Sequence, residues 1–199
     1  KKQKEQEQIS LDGLPETELL YYSDDPKEFD ASVLKSFDKY VILRHDVDKL
    51  PFNALKMAKL ENKLNIKSTY YFRIVNSSND PEIIKKIASL GHEIGYHYED
   101  LTLAKGDYER AIKLFENNLN YFRKFYDIKT IVYHGSPLTR WNNKDIWDKY
   151  DYKDYNILAE PLIDIDFKKT LYLTDTGRSW NGRKFSVRDR VNSNSEKNI

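Results

Sequence analysis

The segment Tyr40–Asp48, with the sequence YVILRHDVD, decides the fold class of this chain. Its first four residues are an apolar run rich in β-branched and aromatic side chains, which predicts a strand ending at Leu43. His45 and the acids Asp46 and Asp48 come next, and such residues do not continue a buried strand. In parallel α/β folds the functional groups gather where strands end, so the segment predicts both a strand and a site.

Outward from this segment, short β-rich runs alternate with stretches of helical spacing. We expect further strands over residues 68–72, 92–97, 130–133, 156–158 and 170–174, and helices over 51–65, 81–90, 107–125 and 144–150. This alternation indicates an α/β fold with a parallel sheet, open or closed. We expect one domain over residues 40–187, an irregular lead-in over 1–39 and a flexible tail over 188–199.

The composition of the 199 residues narrows the class of protein. Hydrophobic residues make up 39%, enough for a core, and the formal net charge of +1 argues against nucleic acid as a partner. There are no cysteines, which excludes disulfides and thiolate metal sites. No apolar run approaches the roughly 20 residues of a membrane span. The polar start at Lys1–Gln8 is unlike a signal peptide, so we expect a cytoplasmic location.

Asp46 and Asp48 are the sharpest functional signal in the sequence. In extended backbone, residues i and i+2 point to the same side, so the two carboxylates are expected to lie side by side. Two such carboxylates repel each other unless a cation or a proton intervenes. A divalent metal bound by one acid, with the other acid left as a base, satisfies this requirement. A surface turn with two solvated acids is the structural alternative.

All four histidines lie within or just after predicted strands, which is unusual for a random scatter. His97 and His134 end two of these strands, and His45 lies beside the acids of the first. His92 comes early in its segment, so we expect a structural hydrogen-bonding role for it. Imidazole with carboxylate suits Zn²⁺ best, and Co²⁺, Ni²⁺, Fe²⁺ or Mn²⁺ also fit.

Four segments carry a resemblance to a known family. Gly91–His97, with the sequence GHEIGYH, resembles the second motif of the NodB-type polysaccharide deacetylases, and Arg44–Asp48 is similar to their first. Tyr133–Pro137 occupies the place of the third motif, and Thr174–Arg178 with Trp180 lies near that of the fourth. The resemblance indicates a divergent branch. It implies a distorted, TIM-like (β/α)7 barrel of mostly parallel strands, a divalent metal, and removal of acetyl from an N-acetylated sugar.

The same resemblance implies roles for individual residues. Asp46 takes the place of the family's catalytic base, and Asp48 and His97 take the places of metal ligands. The second metal histidine of the family falls at Leu101 in this chain. We therefore expect His134, with Glu99 as the alternative, to complete the ligand set.

Two other departures from the family concern its third and last motifs. The third motif usually carries an arginine, whereas Tyr133 and His134 stand there in this chain and Arg140 follows later. The last motif supplies a histidine as general acid, and no histidine follows His134. Three explanations stay open: a barrel that is incomplete at the C-terminus of this chain, a reaction without that acid, or a loss of activity.

The sequence therefore predicts a metal-dependent hydrolase that removes an acetyl group from an N- or O-acetylated sugar or polysaccharide. Aromatic rings stack on sugars and polar groups bind their hydroxyls. The candidate substrate-binding residues are Tyr133, Arg140, Asp175, Arg178 and Trp180.

Three other functions compete with this prediction. A glycosyltransferase that uses Mn²⁺ with an Asp-x-Asp motif would explain Asp46 and Asp48 but leaves His97 and His134 without a role. A phosphatase with Asp46 as nucleophile usually needs Ser or Thr soon after the second acid, and this chain has Lys49 there. A non-catalytic carbohydrate-binding relative of the same fold is the third.

Overall fold

A parallel β-sheet of four strands forms the centre of the computed structural model, which describes residues 41–135, 139–167, 170 and 172. The sheet curls into a half-barrel, and the strands lie in chain order, each parallel to the next. Its strands are β1 (Arg44–Val47), β2 (Thr69–Phe72), β3 (Glu93–Tyr98) and β4 (Ile131–Tyr133). The sequence-based prediction of an α/β fold with a parallel sheet is confirmed.

Helices connect the strands, and several of them begin at residues suited to helix starts. Asp80 caps the helix before β3, since its side chain accepts hydrogen bonds from the backbone N–H groups of Glu82 and Ile83. The α-helices are α1 (Pro51–Lys63), α2 (Pro81–Ser89), α3 (Asp100–Leu103), α4 (Tyr108–Phe122) and α5 (Pro161–Asp164). Two 3-10 helices, Asn143–Asp148 and Tyr152–Tyr155, follow β4. In the described part of the chain, no helix is both long and apolar enough to cross a bilayer.

The two faces of the sheet have different chemistry because successive side chains point to opposite sides. The face toward the helices is apolar and forms the core with residues of α1, α2 and α4. Its strand residues are Val47, Tyr70, Phe72, Ile94, Tyr96, Tyr98 and Ile131. The opposite, inner face carries the polar groups of the candidate site. Alternate residues of each strand therefore belong to the apolar core and to the candidate site.

Gly95 allows a close approach on the inner face of β3. A Cβ at this position would collide with the ring of Tyr71, and it would lie 3.1 Å from the carbonyl oxygen of Thr130. The Tyr71 ring is buried, and its hydroxyl donates to Thr130 Oγ1 at 3.0 Å. Glycine is therefore required here by packing.

The first predicted strand was placed too early in the chain. The strand begins at Arg44, whereas Val41 and Ile42 are 68% and 52% exposed. Polar residues can continue this strand because β1 pairs with β2 alone among the described residues and its inner face opens on the site. Asp46 therefore lies within the strand.

The later elements also differ from expectation. Residues 156–158 do not form a strand, although a parallel bridge joins Ala159 to Thr130 beside β4. The helix expected over 144–150 is the 3-10 helix Asn143–Asp148. Four strands and this bridge do not amount to seven repeats, so the closed barrel stays a proposal. The lead-in 1–39, the strand expected over 170–174 and the tail 188–199 lie outside the described residues, apart from positions 170 and 172.

Candidate metal centre

The carboxyl ends of three strands bring Asp48, His97 and His134 together. Asp48 follows β1, His97 lies near the end of β3, and His134 comes directly after β4. One donor atom from each residue lies within 4.8 Å of the others. We call these residues the Asp–His cluster. The sequence-based prediction that these side chains converge is confirmed.

The spacing within the Asp–His cluster suits one divalent ion. Asp48 Oδ1 lies 3.1 Å from His134 Nδ1 and 3.5 Å from His97 Nε2, and the two imidazole nitrogens are 3.2 Å apart. Two ligand atoms that are each about 2.1 Å from one ion lie about 3.0 Å apart at a 90° angle and about 3.4 Å apart at a tetrahedral angle. The donor set and its spacing therefore fit a metal.

His97 has a defined orientation. Its Nδ1 lies 2.9 Å from the carbonyl oxygen of Val132, and a carbonyl can only accept, so Nδ1 carries a hydrogen. Nε2 then faces Asp48 and His134. Burial opposes a charge on His97, yet the neighbouring carboxylates of Asp46 and Asp48 raise its pKa. The ring therefore lies where a positive charge is favoured, whether a proton or a metal supplies it.

Asp48 is held in its ionised form. Burial by itself would raise the pKa of Asp48, but hydrogen bonds from His134 and His97 hold it well below its usual range. The side chain is 52% exposed, so the Asp–His cluster opens to solvent on this side. An ionised, accessible carboxylate is what a metal ligand requires.

Asp46 lies beside the Asp–His cluster without belonging to it. Its Oδ2 is 4.0 Å from His97 Nε2 and accepts a hydrogen bond from Arg44 Nη2 at 3.1 Å. Arg44 also donates to the hydroxyl of Tyr172 at 3.3 Å, which fixes the guanidinium. Asp46 is therefore oriented and close to the site, as expected for a base.

His134, and not Glu99, lies with Asp48 and His97 in the Asp–His cluster. Leu101 is buried in the core. Glu99 is also buried, but Arg73 occupies both of its oxygens, with Nε at 3.0 Å from Oε1 and Nη2 at 2.7 Å from Oε2. His134 is positioned by its own backbone, which donates to Tyr98 and accepts from Asn143 Nδ2 at 2.8 Å each.

Arg73 and Arg44 were not assigned to the site from the sequence. Arg73 directly follows β2, so its place at the carboxyl edge of the sheet was the signal that could have identified it. Its Nη1 lies 4.0 Å from Asp48 Oδ1. Its pairing with Glu99 joins residues 26 positions apart, which no local pattern reveals.

The two other histidines lie away from the Asp–His cluster. His45 points to the helix face, because neighbouring residues in a strand alternate, and its Nε2 bonds Glu61 Oε1 at 2.6 Å. The His45 side chain therefore lies on the opposite face of the sheet from Asp46. His92 bonds the carbonyl oxygen of Ala58 and the hydroxyl of Ser68, which confirms its structural role.

The predicted substrate-binding residues have varied surroundings. Tyr133 is partly buried against the core, and its backbone N–H donates to Glu160 Oε1 at 2.9 Å. Arg140 is exposed, with its guanidinium 4.8 Å from the centre of the Trp141 ring. The other three, Asp175, Arg178 and Trp180, lie outside the described residues.

Comparisons with known proteins leave the family open. No protein-family model matches the chain. An alanine–tRNA ligase from Nitrosopumilus maritimus (strain SCM1) is 56% identical over 36 residues. That match covers 18% of this chain and 4% of the ligase, which is too short a share to show common function.

Proposed function

We propose that this protein is a metal-dependent hydrolase that removes acetyl groups from N- or O-acetylated sugars or polysaccharides. The observation that carries the proposal is the Asp–His cluster with Asp46 beside it at the carboxyl edge of a parallel sheet. The motif resemblance supplies the reaction and the carbohydrate substrate. It also supplies the finer fold, a distorted (β/α)7 barrel of the NodB-type deacetylases.

The ligands in this proposal are Asp48, His97 and His134. Zn²⁺ suits their nitrogen and oxygen donors best, with Co²⁺, Ni²⁺, Fe²⁺ or Mn²⁺ as alternatives. A bound divalent ion supplies Lewis acidity toward a carbonyl oxygen and lowers the pKa of water. The hydrogen bond from His97 to the Val132 carbonyl holds that ring in the orientation needed for ligation.

Asp46 acts as the general base. Its carboxylate accepts the proton of the attacking water and passes it to the leaving amine or alcohol as the acyl bond breaks. Arg44 Nη2, at 3.1 Å, keeps Asp46 oriented toward the site. The open side of Asp48 admits the substrate. A DxD glycosyltransferase is less well supported, because it leaves His97 and His134 at 3.2 Å from each other without a role.

The test is acetate release by the zinc-loaded chain from N-acetylated and O-acetylated sugars, combined with metal analysis. Asp48→Ala is expected to lose bound metal and activity together. Asp46→Asn is expected to keep the metal but to lose about 10²- to 10⁴-fold in turnover.

Asp127→Asn is the matched control, because Asp127 is an exposed acid paired with Lys129 on the surface. It should keep both metal and turnover. Equal metal content in the unmodified protein and in Asp48→Ala would contradict the ligand assignment. Metal binding without acetate release from either sugar would contradict the proposed reaction.

A further inference from the structure

Arg73 lies at the Asp–His cluster with one nitrogen unused. Two of its three guanidinium nitrogens donate to Glu99, at 3.0 and 2.7 Å, in a fork arrangement that fixes the plane of the group. The third, Nη1, lies 4.0 Å from Asp48 Oδ1, too far for a hydrogen bond. Among the described residues Nη1 has no hydrogen-bond partner, so the structure holds a rigid cation with a donor directed to the site.

A cation in this place is unfavourable for metal binding alone. Arg73 repels a divalent ion bound at Asp48, and this repulsion is weakly screened because the arginine side chain is only 15% exposed. Glu99 offsets part of this repulsion through its own negative charge. A smaller neutral residue at position 73 would avoid the repulsion altogether. The arrangement is more readily explained if Arg73 binds something in addition to Glu99.

The charges at the site indicate what that ligand is. The carboxylates of Asp46, Asp48 and Glu99 exceed the guanidiniums of Arg44 and Arg73 by one negative charge. A divalent ion would turn this into one positive charge. A site of that sign, with a free N–H donor near the metal position, suits an anion.

We propose that Arg73 determines substrate specificity by binding an anionic group, a carboxylate or a phosphate, carried by the acetylated sugar. This inference rests on the proposed function, because it deepens the substrate class of the same site. Arginine suits the role because its guanidinium is positively charged and Nη1 keeps N–H donors in addition to the two nitrogens that bind Glu99. The bridge to Glu99 keeps the guanidinium from collapsing onto Asp48 when no substrate is present.

The test compares sugars that differ only in charge. Calorimetric titration of the zinc-loaded chain would use N-acetylgalactosaminuronic acid against N-acetylgalactosamine, and N-acetylglucosamine 6-phosphate against N-acetylglucosamine. We expect one charged sugar to bind about 10- to 100-fold more tightly than its neutral partner, as for a hydrogen bond to a charged group. The pair that shows this preference identifies carboxylate or phosphate as the ligand.

Arg73→Gln is expected to abolish the preference, because the charged sugar loses its hydrogen-bond donor. The double variant Arg73→Gln with Glu99→Gln replaces the buried pair by two neutral amides, so no charge is left unpaired, and it should lose the same preference. Arg110→Gln is the control, since it removes the same charge from an exposed position on α4 and should keep the preference.

Two results would overturn the assignment. One is an unmodified protein that binds charged and neutral sugars equally. The other is a preference that survives in both Arg73 variants. Tight binding of the charged sugar without acetate release would refute the proposed hydrolysis and leave the role of Arg73 intact, so the two failures are distinguishable.

Discussion

Asp100 is a carboxylic acid with no exposed surface, three residues beyond His97. Its oxygens accept hydrogen bonds from the Tyr96 hydroxyl at 2.8 Å and from Asn118 Nδ2 at 2.7 Å. Burial raises the pKa of Asp100 to about 7, and these hydrogen bonds only partly oppose it. The folded protein therefore holds this proton to a higher pH than the unfolded chain does.

This difference predicts a loss of stability as pH rises. Between the ordinary pKa of 3.8 and about 7 the folded state binds more protons than the unfolded state, so the free energy of unfolding falls with pH across this window. Asp100→Asn should remove this decline, which is roughly 4 kcal/mol over the whole window and roughly 2.5 kcal/mol between pH 5 and pH 8. Urea unfolding of both proteins at about pH 5 and about pH 8 measures it.

A surface acid provides the comparison for this prediction. Asp127→Asn makes the same change of a carboxyl to an amide, but at a side chain that is 60% exposed. The fall in its free energy of unfolding with pH should therefore match that of the unmodified protein. If Asp100→Asn also declines like the unmodified protein, Asp100 is ionised in the fold and the assignment is wrong.

Single residues differ in how far the sequence could locate them. Asp46, Asp48, His97 and His134 were predictable, because strand ends in a parallel sheet meet at one edge. The environment of Arg73 was not, since a long side chain at a strand end can reach several partners. The fold alone selects Glu99 for it.

At the level of the secondary-structure elements, β3 depends on the missing side chain of Gly95. Gly95→Ala is expected to lower the free energy of unfolding by about 1–3 kcal/mol, because the buried Tyr71 ring must shift and its bond to Thr130 must stretch. Gly135→Ala is the control, since a Cβ there meets nothing within 4 Å, and its effect should stay within about 0.5 kcal/mol. Equal effects in urea unfolding would show that the inner face repacks freely.

The boundaries of β1 show why the sequence pattern placed the first strand too early in the chain. Sequence patterns identify a strand by its apolar residues, and Val41 and Ile42 carry that signal. In the fold these residues precede the pairing with β2, which starts at Arg44 opposite Thr69. The neighbouring strand sets the hydrogen-bond register. The polar segment Arg44–Val47 therefore forms the strand, and the apolar residues Val41 and Ile42 precede it.

At the level of the whole sheet, the four strands of the described residues lie in the order of the chain. Each strand therefore packs next to the one that precedes it in the chain, with one or two helices between them. The apolar periodicity of the helices made this architecture predictable. The number of repeats was not predictable in the same way, because residues 156–158 carry a strand-like pattern and contribute only the bridge at Ala159.

Among the residues that the structure describes, β1 has β2 as its single neighbour and Asp48 at its end, and this position has a consequence for hydrogen exchange. We expect amides of β1 to exchange through local opening about 10-fold or more faster than those of β3, which is hydrogen-bonded on both sides. Zn²⁺ bound by Asp48 and His97 would link β1 to β3 and favour the closed state. At about 100 times its dissociation constant, zinc should slow exchange in β1 by about 100-fold while β3 changes little. Mass spectrometry measures these exchange rates, and Asp48→Ala is the control that should not respond to zinc. If β1 exchanges at the same rate with and without zinc, the metal does not stabilise this edge of the sheet.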